Sequence, residues 1–319
     1  MRDPNEAGQP VESEGKGDSA GVPSRGALFQ SSAGEPAPPG RGRLVVLLIV
    51  AGVLVLFGIY LYRVQRSVAL TPTLPPEEPA QIPPPAEGPA LPRDATVRVP
   101  AGTFTMGSTD GDKDEQPITE VHVGAFEIDL TEVTVGAYRA CVDASKCSPP
   151  DDAGPYCNWG KPGRDRHPVN CVDWEQASAY CAFVGKRLPS EQEWEYAARG
   201  ADGRKFPWKE GPPARQLCWN GDGNDLGKNK RQGTCAVGLY PSGASPFGAL
   251  DMAGDVWEWT SKTYCATYDD KGCIDDKKVI RGGSWNNIKE EYVRAQDRSN
   301  EPVKAQRDNV GFRCARTMK

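Results

Sequence analysis

The stretch Gly185-Lys186-Arg187-Leu188-Pro189-Ser190-Glu191-Gln192-Glu193-Trp194-Glu195-Tyr196 decides the fold. Ser190 with Glu193 three residues on is a capping box, which predicts a helix through Arg199 closed by Gly200. Gly185 suits the left-handed end of a preceding helix that Asp173 or Trp174 starts and that runs to Val184. Further upstream, Thr134 can cap a helix over 135–141, and two strands are expected: Val97 to Met106, ending at Gly107, and Val121 to Asp129. The second rests on the alternation of Val121, Val123, Phe126 and Ile128. Downstream of Gly200 the chain turns to Gly, Pro, Asn and Asp with short apolar runs, which predicts loops over a small sheet. No internal repeat is evident.

The whole chain has 319 residues with 29 Pro and 35 Gly, a loop-rich composition rather than that of a helical bundle. Its net charge of -5 gives no global basic footprint, so nucleic acid is not an expected partner. From Leu44 to Tyr62 every residue is apolar, Gly or Tyr, which predicts a transmembrane helix over 44–62. A cleaved signal peptide and a buried core helix are the rival readings. The run is long for a signal peptide, starts late and lacks a small-residue cleavage site. Residues 1–43, poor in bulky apolar side chains, are expected to be a disordered cytoplasmic tail, whose Ser19, Ser24, Ser31 and Ser32 are possible phosphorylation sites. Residues 63–93 are expected to be a Pro-rich stalk and 94–319 the folded domain.

Arg41 and Arg43 balance Arg63 and Arg66, so flanking charge does not orient the helix. The cysteines do. All ten follow the apolar run, and an even set on one side suggests disulfides, hence a single-pass protein with a cytoplasmic N-terminus and a periplasmic or extracellular C-terminal domain. Structural zinc is the rival, but it favours C-x2-C spacings that are absent.

Two more stretches stand with the first: Gly254-Asp255-Val256-Trp257-Glu258-Trp259, and Arg281-Gly282-Gly283-Ser284-Trp285 followed by Asn309-Val310-Gly311-Phe312-Arg313-Cys314. Pro100-Ala101-Gly102-Thr103-Phe104-Thr105-Met106-Gly107 and His167-Pro168-Val169 precede them. In this order, over about 97–316, they closely resemble the formylglycine-generating enzyme family, also called sulfatase-modifying factor, whose bacterial members include non-catalytic relatives, and a bacterial source is expected. The resemblance implies an α+β, C-type-lectin-like fold with little regular secondary structure.

Enzymes of that family oxidise a substrate cysteine to formylglycine with copper held by two cysteines shortly after the Gly-Gly-Ser motif. Here no cysteine lies between Trp285 and Arg313, so the soft pair that selects Cu(I) is missing and copper is not expected. The iron-binding sulfoxide synthases of the family use three histidines, whereas this chain has only His122 and His167. His167 is expected to fix a turn by a hydrogen bond. The family's calcium site implies Asp255 and Glu258 as ligands, against the reading that these carboxylates pair with Arg281 or Arg313. A second family calcium site matches only at Asn220, before the basic run Lys228-Asn229-Lys230-Arg231, and is not expected. Asn220 to Asp225 also opens like an EF-hand loop but has Asp225 where Gly is required. The tryptophans inside the motifs are expected in the core rather than as a carbohydrate platform.

Local disulfides are expected between Cys141 and Cys147, Cys157 and Cys171, and Cys218 and Cys235. Cys181 to Cys314 matches a long-range bridge of the family. Cys265 and Cys273 form either a further staple or a relocated redox pair. If the family's peptide groove persists, the segment from Asn286 to Arg294, with Arg298, should line it, Asn286, Asn287, Arg294 and Arg298 in particular. The expectation is a membrane-anchored binding or scaffolding domain without oxidase activity, whose partner is a peptide, protein or envelope component. The alternative is an oxidoreductase of the formylglycine-generating type with an unconventional site.

Overall fold

The computed structural model describes residues 41–68, 92 and 94–318. The expected tail and stalk therefore lie outside the described residues except at their ends. Helix α1 (Arg41–Val68) runs past Tyr62 into the expected stalk, because nothing from Arg63 to Val68 breaks a helix; the first proline beyond is Pro72. Its described side chains, 50–65, are all exposed, and that window is shorter than the roughly 20 residues a span takes. Among the described residues, no helix is long and apolar enough to cross a membrane, so the expected span over 44–62 is not supported as one.

The C-terminal domain is mixed. Each expected strand is two. The first divides into β1 (Thr96–Val99) and β2 (Gly102–Met106) because Pro100 has no amide to give a ladder. The second divides at Gly124-Ala125 into β3 (Thr119–Val123) and β4 (Phe126–Asp129). The breaks let β2 and β3 pair as a separate hairpin while β4 sits between β1 and β9 (Ala315–Thr317), tying the start of the domain to its end. Val123, Phe126 and Ile128 are buried, but the break shifts the phase by one residue, and Glu127 is buried beside them.

The helices form where the caps place them. In α2 (Val135–Asp143) Thr134 Oγ1 accepts from the Ala137 amide at 3.1 Å. In α3 (Trp174–Phe183) Asp173 and Gln176 make a capping box. In α4 (Glu191–Arg199) the Ser190–Glu193 box is reciprocal, at 3.1 and 2.8 Å, and Gly200 ends the helix at φ +63.

The small sheet expected after Gly200 has four strands in the order β7-β6-β5-β8, with β5 (Trp257–Cys265), β6 (Cys273–Arg281), β7 (Arg298–Pro302) and β8 (Val310–Gly311). Register places Glu258, Arg281, Arg298 and Gly311 in one row and Trp259, Ile280 and Ser299 in the next. Because alternate rows face opposite ways, the sheet carries a charged face and an apolar-to-polar face.

Helix α4 meets the charged face. Arg281, with no exposed surface, bonds Glu195 and contacts Glu191 at 3.1 Å, while Arg298 grips Glu191 through two bonds of 2.8 and 2.9 Å. Glu258 holds Arg313 at 2.7 and 2.8 Å and accepts from Trp194 Nε1 at 2.7 Å. The same guanidinium groups donate outward to loop carbonyls. Arg281 reaches those of Gln296 and Asp297, Arg313 those of Asp129 and Leu250, and Arg298 those of Asp114 and Cys265. Buried loop carbonyls need donors that no ladder supplies, and a five-donor arginine with a glutamate counterion supplies them. The quoted motifs therefore build the core of a loop-rich domain.

All ten cysteines are paired: Cys141–Cys147, Cys157–Cys171, Cys181–Cys314, Cys218–Cys235 and Cys265–Cys273. These are the pairs named from the sequence, and Cys265–Cys273 takes its staple form.

Candidate functional site

The segment after Gly-Gly-Ser opens on a cavity of about 340 Å³ over the second face of the four-stranded sheet. Trp257, Ile280, Ser299 and Val310 form its floor, and Asn287, Tyr292 and Asp112 stand around it. Gly283 makes the turn possible: it lies at φ +74, where a Cβ would meet the Tyr292 carbonyl at 2.3 Å. The loop is then closed by amides. Ser284 donates its backbone N–H to Asn287 Oδ1 at 2.7 Å and its hydroxyl to Asn286 Oδ1 at 2.7 Å, and the Asn220 N–H reaches the Asn287 carbonyl at 2.9 Å.

Of the four residues expected in the groove, Asn287 and Arg298 line this cavity. Asn286 lies next to it in the amide cluster, within 3.4 Å of Asn309 Nδ2. Arg294 does not line it; it is held by Glu115 at 2.6 and 3.0 Å, with Asp297 3.5 Å away. Neither arginine has a charge to spare, since each is matched by a bidentate glutamate. Asp297, Ser299 and Glu301 were not anticipated as lining, although Ser299 and Glu301 share one face of β7 by the two-residue period. Burial pushes the Asp297 carboxyl up to about 8; Arg294 pulls it down and Glu115 pushes it further up.

The two carboxylates expected at calcium are both engaged by protein groups. Glu258 spends both oxygens on Arg313, and Asp255, at φ +56, accepts the Cys235 amide through Oδ1 at 2.9 Å. The neighbouring Gly254 (φ +76) lets the turn pass 2.4 Å, measured from an ideal Cβ, from the Cys218 carbonyl. The unsatisfied carboxylate is elsewhere. Glu132 is 2 % exposed, and neither of its oxygens has a hydrogen-bond partner. Burial and the charges of Asp251 and Asp255 push it well above the usual range, while Asp251 is raised to about 6, chiefly by burial. Asp251 itself accepts the Gly238 amide through Oδ2 at 2.6 Å, which leaves Glu132 as a buried carboxylate without a hydrogen-bond partner among the described residues. No motif marked Glu132, a single Glu after a strand.

The other expectations fall into place around this site. Arg231 fills the oxygens of the 220–231 loop: its backbone N–H meets Asn220 Oδ1 at 2.9 Å and its guanidinium pairs with Asp225. His167 fixes a turn through Thr234 Oγ1 at 2.8 Å, and burial lowers it to about 4. Trp194, Trp257, Trp259 and Trp285 are buried. A larger cavity of about 530 Å³ lies at Thr134, Gly136 and Arg139 near α2, away from the Gly-Gly-Ser segment.

Residues 83–318 match the sulfatase-modifying factor enzyme 1-like domain. The inactive C-alpha-formylglycine-generating enzyme 2 of Mus musculus is 31% identical over 69% of this chain and 85% of its own length. The formylglycine-generating enzyme of Streptomyces coelicolor is 32% identical over 69% and 88%. The solved structure of PvdO from Pseudomonas aeruginosa superposes with a TM-score of 0.59 at 30% identity, covering 70% of this chain and 94% of that one. With the motifs and the fold in agreement, the chain belongs to the sulfatase-modifying factor family, that of formylglycine-generating enzyme.

Proposed function

We propose that this protein is a membrane-anchored, extracytoplasmic member of the family that binds a peptide or protein segment and performs no cysteine oxidation. The observation that carries this reading is the groove itself, where Asn287 and Tyr292 follow Gly-Gly-Ser and every cysteine of the chain is tied in a disulfide. Copper(I) in this family's chemistry needs thiolates, and amide and phenol groups do not replace them. The groove residues therefore do not fit copper. What they offer is amides, hydroxyls, the carboxyl groups of Asp112, Asp297 and Glu301, and a largely apolar floor, suited to an extended backbone and its side chains.

The apolar composition of residues 44–62 is the sequence feature behind the proposed one-helix anchor, with the disulfide-bearing domain outside. Calcium is the proposed structural ion, with Glu132, buried and without a hydrogen-bond partner, as one of its ligands. Binding is tested by selecting peptides on the full-length protein in detergent, then repeating the measurement on Ser299→Trp, which fills the cavity from its floor. A loss of about tenfold or more in affinity, at unchanged thermal stability, is expected; peptides that bind the variant equally well place recognition elsewhere. Anchoring is tested by protease access in sealed vesicles, which should cleave the domain from one side of the bilayer only.

A further inference from the structure

The disulfide poised for reduction is not the one on the exposed hairpin. Cys265 Sγ lies 3.6 Å from the Asp270 carboxylate, and Cys273 Sγ lies 3.2 Å from the Asp270 carbonyl, so both sulfurs face negative oxygen. Cys218–Cys235 faces the reverse. Arg231 Nη1 donates to Cys235 Sγ at 2.8 Å, and the Tyr240 hydroxyl stands 3.6 Å away. The guanidinium is fixed there by Nε to the Trp219 carbonyl at 3.0 Å and by Nη2 to Asp225 and Tyr240. One more carboxyl, that of Asp255, comes within 4.8 Å of both sulfurs. It is fully buried in the turn, and burial favours its neutral form.

We propose that Cys218–Cys235 is a redox site, reduced by dithiols and read out by the groove. A thiolate of the dithiol attacks Cys218 Sγ. The Cys218–Cys235 bond breaks, and its electron pair leaves on Cys235 Sγ, where Arg231 stabilises the thiolate. The second thiol of the reductant then attacks its own mixed-disulfide sulfur, releasing Cys218, which takes up a proton. The reductant becomes a cyclic disulfide, and the remaining proton goes to solvent. Both cysteines are buried, so exchange passes through local opening of the loop.

The groove responds because the same few bonds hold both. Cys235 N–H donates to Asp255 Oδ1 at 2.9 Å, Asp255 N–H to the Cys218 carbonyl at 2.8 Å, and Trp285 N–H to the Asp255 carbonyl at 2.8 Å. Two residues past Cys218, Asn220 clamps Asn287. Opening the disulfide frees the loop that braces the amide cluster.

The full-length protein is equilibrated in mixtures of reduced and oxidised dithiothreitol, quenched in acid, alkylated and mapped by mass spectrometry. Cys218–Cys235 is expected to reach half reduction at a ratio about tenfold less reducing than Cys265–Cys273, equivalent to roughly 30 mV. Arg231→Gln should erase that gap, and Asp270→Asn should narrow it from the other side. The proposal is overturned if Cys265–Cys273 opens first, or if both variants leave the gap unchanged. Should Arg231→Gln not fold, the wild-type order together with Asp270→Asn decides. Hydrogen exchange over 284–292 should rise once Cys218–Cys235 alone is open; unchanged exchange refutes the link to the groove.

Discussion

Asp297 sits 3 % exposed at the edge of the groove, facing Arg294 and Glu115, with its carboxyl raised to about 8. In the unfolded chain it titrates near 3.9. The folded state therefore holds the extra proton between those values, so the stability from neutral Asp297 is full below about pH 4 and is lost as pH rises through about 8. Asp297→Asn should remove that loss, which urea midpoints between about pH 5 and pH 9 will register as a flatter profile. A variant as pH-sensitive as the wild type would deny the buried proton. Glu132 makes the second prediction at this scale. Calcium should raise the melting temperature of the wild type and not of Glu132→Gln, as thermal unfolding with calcium against chelator will measure. A metal ligand chosen by motif was Glu258, but a motif glutamate can as well be an arginine's counterion, and only three-dimensional packing separates the two. Glu132, outside any motif, was invisible for that reason.

Between elements, the account turns on α4 against the four-stranded sheet. Glu195 accepts from the Gly107 amide at 2.9 Å and from Arg199 at 2.8 Å, and it pairs with Arg281. Glu195→Gln removes one charge from a buried network and leaves Arg281 short of a counterion, which should cost about 3 to 5 kcal/mol in urea unfolding. Ser190→Ala, which deletes only the cap, should cost about 1 kcal/mol. Equal costs would mean that the motif serves helix initiation alone. The helices were legible because caps are local: Thr134, Asp173, Ser190 and Gly200 act within four residues. The strands were legible in face but not in number, because Pro100 and Gly124 each fit a continued strand as well as a break until the partner is known. β6 and β7 were not separable from loop by sequence, since Asp275, Asp276, Ser299 and Asn300 carry no apolar alternation.

Across the whole molecule, five disulfides and a set of buried arginines replace the regular ladders that most domains of this size use. Cys181–Cys314 joins α3 to the last strand pair across 133 residues, and β4 receives β9 beside it. The fold was readable because it rides on motifs in fixed order; of the disulfides only Cys181–Cys314 came with the resemblance, while the local pairs followed from nearness in sequence and Cys265–Cys273 was open between two readings. The groove was readable in outline only: Asn287 follows from the Gly-Gly-Ser position, whereas Asp112, Asp297 and Glu301 are brought there by topology. The absence of a cysteine between Trp285 and Arg313, just past Gly-Gly-Ser, is the central feature of the molecule. The direct measurement is mass spectrometry of a cysteine-containing peptide incubated with the copper-treated full-length protein, alongside a free-thiol count and bound-copper analysis. The account predicts an unmodified peptide, no titratable thiol in the denatured protein and no retained copper. Conversion of the peptide cysteine to an aldehyde, with copper held by an exposed thiol pair, would contradict it.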